Sequence, residues 1–187
     1  MWFCAAANVL DKNKKIMTAA PRGRTANPFG FGAGLVNPVK VENLGLLYDA
    51  SPKDYIKFLC GIGYDNSSLR RVTGDHSVCT KFCTIASNLN YPSISISKFN
   101  GNSSIIQTVT NVGNTNCTYI VRVSPPRGIS VQVVPSVLKF NFYGQKISFT
   151  VQFKRVIQTW GYVFGSLSWV NGRQRVRIPL VVGCFAS

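Results

Sequence analysis

Residues 145–182 read QKISFTVQFKRVIQTWGYVFGSLSWVNGRQRVRIPLVV, and this stretch decides the fold class. Three strand-like runs, at 145–153, 162–170 and 173–182, follow one another without a helical interval. Apolar residues recurring every second position place one face of a strand toward a core and the other toward water. Asn171-Gly172 is a two-residue hairpin signal, because a tight turn needs residues that tolerate positive φ. Phe149, Phe153 and Trp169 fall at strand spacing, together with Phe140 and Phe142, and are expected in the core.

The same period extends upstream. Ile94 and Ile96 alternate with Ser95 and Ser97, and further runs follow at 104–110, 117–123, 129–134 and 137–140. Pro125-Pro126-Arg127-Gly128 and residues 141–144 punctuate them. Seven or eight short strands within 88–184 predict a mainly β protein built as a β-sandwich.

Upstream of this the signals change. Ala5-Ala6-Ala7, Val9, Leu10, Ile16 and Met17 predict a helix that stops at Pro21. Residues 27–38, NPFGFGAGLVNP, carry three glycines among aromatics, which suits irregular backbone packed closely against another segment. A phosphate-cradling loop would need a following Lys-Ser/Thr, and none is there. Ser51-Pro52-Lys53-Asp54 combines a helix cap, a proline for the first turn and a capping-box acid. A helix over about 52–60 is predicted, with Gly61 ending it in the left-handed conformation.

The net charge is +15. All six acids (Asp11, Glu42, Asp49, Asp54, Asp65 and Asp75) precede residue 76, and the rest of the chain holds eleven Lys or Arg and no carboxylate. Either the surface is simply basic and soluble, or one face binds a polyanion. Arg173, Arg175 and Arg177 recur at period two, so they share a sheet face. Such a ladder can discourage edge-to-edge strand pairing. With Lys154 and Arg155 it can also bind an acidic polymer such as cell-wall polysaccharide. No recognition helix, zinc finger or RNA-binding phrase accompanies the charge, so nucleic acid is not an expected partner. No apolar run of about 18 residues exists, so no membrane span is expected.

Six cysteines, at 4, 60, 79, 83, 117 and 184, and sequons at Asn66, Asn102 and Asn116 lean toward a secreted ancestry. The opening segment lacks the basic start of a convincing secretory signal. His76 is the single histidine, so any Ser/His or Cys/His chemistry must use it. Asp75-His76-Ser77 cannot assemble a triad, because neighbouring side chains diverge. His76, Cys79 and Cys83, with Cys60, have a spacing that could hold zinc, but cysteine pairing is the preferred reading. No paired carboxylates point to a glycosidase. No catalytic residues, cofactor or metal ligands are expected.

Several phrases together resemble one family. IMTAA (16–20), the long segment 27–64, LNYPSISI (89–96), 108–140 and GYVFGSLSWVNGRQRVRIPLVV (161–182) are similar, in order, to the C-terminal portion of plant subtilisin-like serine proteases, peptidase family S8. The resemblance covers about residues 14–184. It implies a remnant of the α/β catalytic domain over 1–60, a cysteine-containing linker over 61–87, and a fibronectin type III-like sandwich over 88–184. It also implies a Cys60–Cys79 disulfide and an extracellular or cell-wall location. Leu35 stands where the family usually has His, a change that bears on packing.

That family uses Asp, His and Ser in chain order with an Asn oxyanion donor, all ahead of the resembling region. The resemblance therefore implies a non-catalytic fragment whose sandwich is a scaffold for the catalytic domain. The alternative is the tail of a complete extracellular serine endopeptidase. On either reading Trp2, Phe3, Phe29, Phe31 and Leu35 lack an obvious partner, and the N-terminal third is expected to be poorly ordered or adhesive.

Overall fold

The computed structural model describes residues 7–10, 15, 17–19, 23–38, 44–79, 86–172 and 174–185. Among these, eleven strands and three α-helices are formed, and two sheets face each other across one core.

The five-stranded sheet runs β4 (Ile94–Ile96), β11 (Gln174–Cys184), β10 (Gly161–Asn171), β6 (Cys117–Ser124) and β8 (Val137–Phe140). The four-stranded sheet runs β3 (Leu46–Tyr48), β5 (Asn102–Asn111), β9 (Lys146–Arg155) and β7 (Ile129–Val134). Every pairing is antiparallel except β4 with β11. The expected mainly β sandwich is what forms, and each predicted strand run is present to within a few residues.

Alternation puts Ile105 and Val109 inward from β5, Phe149, Val151 and Phe153 from β9, and Leu167 and Trp169 from β10. Phe149 and Trp169 meet edge to face with ring centroids 5.0 Å apart, which is a favoured aromatic arrangement. Phe140, Phe149, Phe153 and Trp169 are buried as expected, but Phe142 is exposed. It lies in the turn after β8, beyond the alternation that would have aimed it inward.

Asn171 pairs with Gln174 across the final hairpin, so the turn is one residue later than the Asn-Gly pair suggested. Gly172 supplies the positive φ, +44°.

The sheet also takes a strand from a stretch assigned by resemblance to the preceding domain. Leu46–Tyr48 pairs with residues 109–111 of β5, and Leu44, Leu46 and Tyr48 belong to the core. Where β3 ends, the Asn90 side-chain amide continues its role. Its Oδ1 accepts from Thr108 N at 2.9 Å, and its Nδ2 donates to Thr108 O and Asp49 O, each at 2.8 Å. One amide thereby satisfies an open sheet edge.

Between β3 and β4 lie two helices, α2 (Pro52–Gly61) and α3 (Asn66–Thr73). The capping box forms: Asp54 Oδ2 accepts from Ser51 N at 2.9 Å and from Ser51 Oγ at 2.7 Å. These bonds hold the Asp54 carboxyl below its ordinary range. Gly61 is the last helical residue, and it is Gly63 that takes positive φ. Asp65 caps α3 through Ser68 N, at 2.7 Å.

The predicted N-terminal helix is not found in its described part. Thr18–Ala19 (β1) pairs instead with Arg24–Thr25 (β2). Strand pairing takes the place of the expected helix there, and Gly23, just ahead of β2, takes positive φ, +62°. Residues 27–38 hold only a single helical turn, α1 (Pro28–Phe31), capped by Asn27 Oδ1 on Phe29 N at 3.0 Å. Gly34 shows the close approach expected of this segment: a Cβ there would strike the Asn8 carbonyl.

Candidate interface

The outer face of the five-stranded sheet carries the most distinctive chemistry. Register places Ser168 of β10 opposite Arg122 of β6 on one side and Arg177 of β11 on the other. Adjacent strands are about 4.8 Å apart, so the two arginine backbones flank the serine within about 10 Å. Arg175 lies two residues along and donates from Nε to Ser168 Oγ at 3.2 Å. Beneath these side chains Ser168 is buried. Arg177 is half-buried, and its Nη1 is fully covered with no hydrogen-bond partner among the described residues. Burial and the neighbouring Arg175 guanidinium push its pKa down from the ordinary arginine value.

The predicted basic ladder is therefore only partly assembled. Arg173 lies outside the described residues. Lys154 belongs to β9 of the other sheet and is exposed on the opposite side of the sandwich. Arg155 is occupied internally: Nη2 donates to Phe99 O at 2.7 Å, Nη1 to Gln158 Oε1 at 3.3 Å, and the guanidinium stacks over the Phe99 ring. Lys154 and Arg155 do not join Arg175 and Arg177 in one site, because β9 and β11 belong to different sheets. Arg122, which did not stand out in the sequence, joins Arg175 and Arg177 through register alone.

Further along the same face is an aromatic cluster. Phe29 of α1 packs edge to face on Tyr162 and Phe164 of β10, with centroids 4.9 and 5.5 Å apart. Tyr162 also meets Phe185, at 5.1 Å. Phe29 thus has partners, contrary to expectation, yet it is 63% exposed and Trp160 67%. Ile157, Trp160, Tyr162 and Phe164, with Arg127, line an adjoining cavity of about 590 Å³. Leu35, also expected to be unpartnered, pairs its backbone with Asn8 and leaves its side chain exposed. Trp2 and Phe3 lie outside the described residues.

The remaining candidate residues are dispersed. Cys60 and Cys79 are bonded, with Cα atoms 5.6 Å apart, and this removes both thiols from a metal site with His76. Among the described residues no group of three potential ligands comes together, and Cys83 lies outside them. His76 is exposed. The Asp75 carboxylate is turned to Thr73 Oγ1 and Ser77 N, at 2.7 and 2.8 Å, and these bonds lower its pKa to about 2. Cys117 and Cys184 are buried free thiols; Cys4 is outside the described residues. Asn102 and Asn116 are exposed, and Asn116 adopts φ +53°. Asn66 is tied by its Oδ1 to Cys79 N at 2.8 Å. Among the described residues no helix is long and apolar enough to cross a membrane.

Two facing sheets, antiparallel but for the β4–β11 pair, with this strand order define an immunoglobulin-like or fibronectin-like β-sandwich. The family model "Fibronectin type-III domain" matches residues 88–182, and the chain belongs to that family. It is 42% identical over 176 residues to "Subtilisin-like serine-protease S" of Lotus japonicus, covering 94% of this chain and 23% of that protein. It is 39% identical over 171 residues to "Subtilisin-like protease SBT3.5" of Arabidopsis thaliana, covering 90% of this chain and 22% of that one. The chain is thus homologous to a C-terminal portion of plant subtilisin-like proteases and spans under a quarter of their length. Among solved structures, the PapD-like domain of human CEP192 matches at 14% identity, with a TM-score of 0.39 over 60% of this chain and 98% of that one.

Proposed function

We propose that this chain is a non-catalytic support module for a subtilisin-type serine protease domain of the kind its relatives carry. One observation carries the reading: Phe29, from the segment ahead of the sandwich, sits on Tyr162 and Phe164, while Trp160 stays largely open and Tyr162 and Phe185 nearly half so. Aromatic surface of this extent is expected where a second body packs. Phe29, covered on one side only and 63% exposed, marks the edge of that contact. The module contributes burial and orientation; bond cleavage belongs to the protease domain. Its location is extracellular, where Cys60–Cys79 persists and Asn102 and Asn116 carry N-linked glycans.

The test replaces the matched 176-residue segment of the Lotus japonicus relative with this chain. The chimera should be secreted and cleave peptides, and Trp160→Ala or Tyr162→Ala should shorten its activity half-life on heating. An inactive chimera beside an active parent rejects the reading. So does serine-inhibitor-sensitive peptidase activity in the isolated chain. Glycosidase treatment of the secreted chimera should shift its mobility, and Asn102→Gln and Asn116→Gln should remove that shift stepwise.

A further inference from the structure

The cluster of Arg122, Arg175 and Arg177 around Ser168 is short of negative charge. Residues 76–187 contain no Asp or Glu. The four described carboxylates upstream are engaged elsewhere: Asp49 with Lys146 at 3.2 Å, Asp54 with Ser51 and Lys57, Asp65 with Ser68, and Asp75 with Thr73 and Ser77. A half-buried guanidinium with a covered, unpartnered nitrogen is costly, and hydrogen bonds to an anion on its other donors offset that cost.

Resting on the reading above, we propose that Arg122 and Arg177, steadied by Arg175 on Ser168, form a seat for one carboxylate side chain presented by the protease domain. The shape favours a point contact over an acidic polymer. The three arginines cluster on β6 and β11, the two strands that flank β10, whereas Lys154 faces the opposite side and Arg155 is occupied. Position favours it too. Ser168 is four residues along β10 from Phe164, about 13 Å at strand rise, so the seat and the Phe29 contact share one sheet face. Two guanidinium forks can grip a carboxylate from both sides, each offering paired N–H donors.

The experiment uses the active chimera and, in parallel, the 187-residue chain alone. Arg122→Gln and Arg177→Gln should each shorten the heat-inactivation half-life of the chimera about tenfold or more, the range expected for a charge-assisted hydrogen bond. The same substitutions should leave the melting temperature of the chain alone nearly unchanged. Arg122 is exposed, so its variant keeps the fold even if Arg177→Gln does not. Unchanged half-lives in a chimera that still responds to Trp160→Ala would overturn the seat and leave the support role standing. Equal losses in the chain alone, matched by Asp11→Asn or Glu42→Gln, would mean that the anion is internal, which also overturns it. Salt-sensitive retention of the chain on polygalacturonate, abolished by Arg177→Gln with the chimera unaffected, would replace it with a polysaccharide site.

Discussion

The sandwich and the two-helix insertion between β3 and β4 are held together by different forces. In the sandwich, cohesion comes from burial: Trp169, Phe149, Phe153, Tyr48 and Tyr119 are almost wholly removed from water. In the insertion, α2 has no buried residue and α3 only Leu69. There the chain is kept in place by a covalent bridge, two capped helix starts and an ion pair to β9. A region without a core can keep a fixed shape if its ends are tied, but its stability then depends on a few replaceable contacts.

The sharpest way to break the contrast is to remove Trp169. Trp169→Ala should cost about 3–5 kcal/mol in denaturant unfolding and lower the whole transition, because both sheets lean on that ring. Reducing Cys60–Cys79, or changing both to Ala, releases a loop of sequence separation 19. It should cost about 3 kcal/mol, concentrated locally. Amide exchange and limited proteolysis should rise over 52–79 while β9–β11 stay protected. Uniform deprotection would show that the two regions are one cooperative unit.

Asp54→Ala should lose about 1 kcal/mol from α2, readable as faster exchange in its first turn. Because hydrogen bonding holds the Asp54 carboxyl below the ordinary carboxylate range, its contribution is whole above about pH 4. It is lost as pH falls through the folded value. Helical circular dichroism should therefore decline on acidification in the parent and less in the variant. Smallest of all, Lys146→Met should change stability by less than about 1 kcal/mol, since its pair with Asp49 is solvent-exposed.

How far the sequence could be read follows the same division. Alternation is local, so β4 to β11 were visible in it, as was the Ser51–Asp54 box that starts α2. Three residues, Leu46-Leu47-Tyr48, are too few to establish a period, and β3 was hidden. The Ala-rich start read as helix because apolar spacing there is ambiguous, while Thr18–Ala19 in fact pairs with Arg24–Thr25 as β1 and β2. The basic site was half legible. Arg175 and Arg177 share a face by strand periodicity alone, but their nearness to Arg122, and their distance from Lys154, depend on which strands pair. Pairing between segments some fifty residues apart leaves no trace in local spacing. The subtilase resemblance supplied what periodicity could not, the Cys60–Cys79 bridge above all.

The position of β3 also fixes where this protein can be cut. The family match starts at residue 88, yet Leu46–Tyr48 closes one border of the four-stranded sheet and Leu44 lies within its core. A recombinant product trimmed to that match would expose the backbone of β5 along 109–111, ready to recruit the same strand from a neighbouring molecule. Soluble monomer then requires starting the polypeptide ahead of Leu44, and aggregation after a shorter cut would reflect a lost margin of the sheet, not an intrinsically unstable domain.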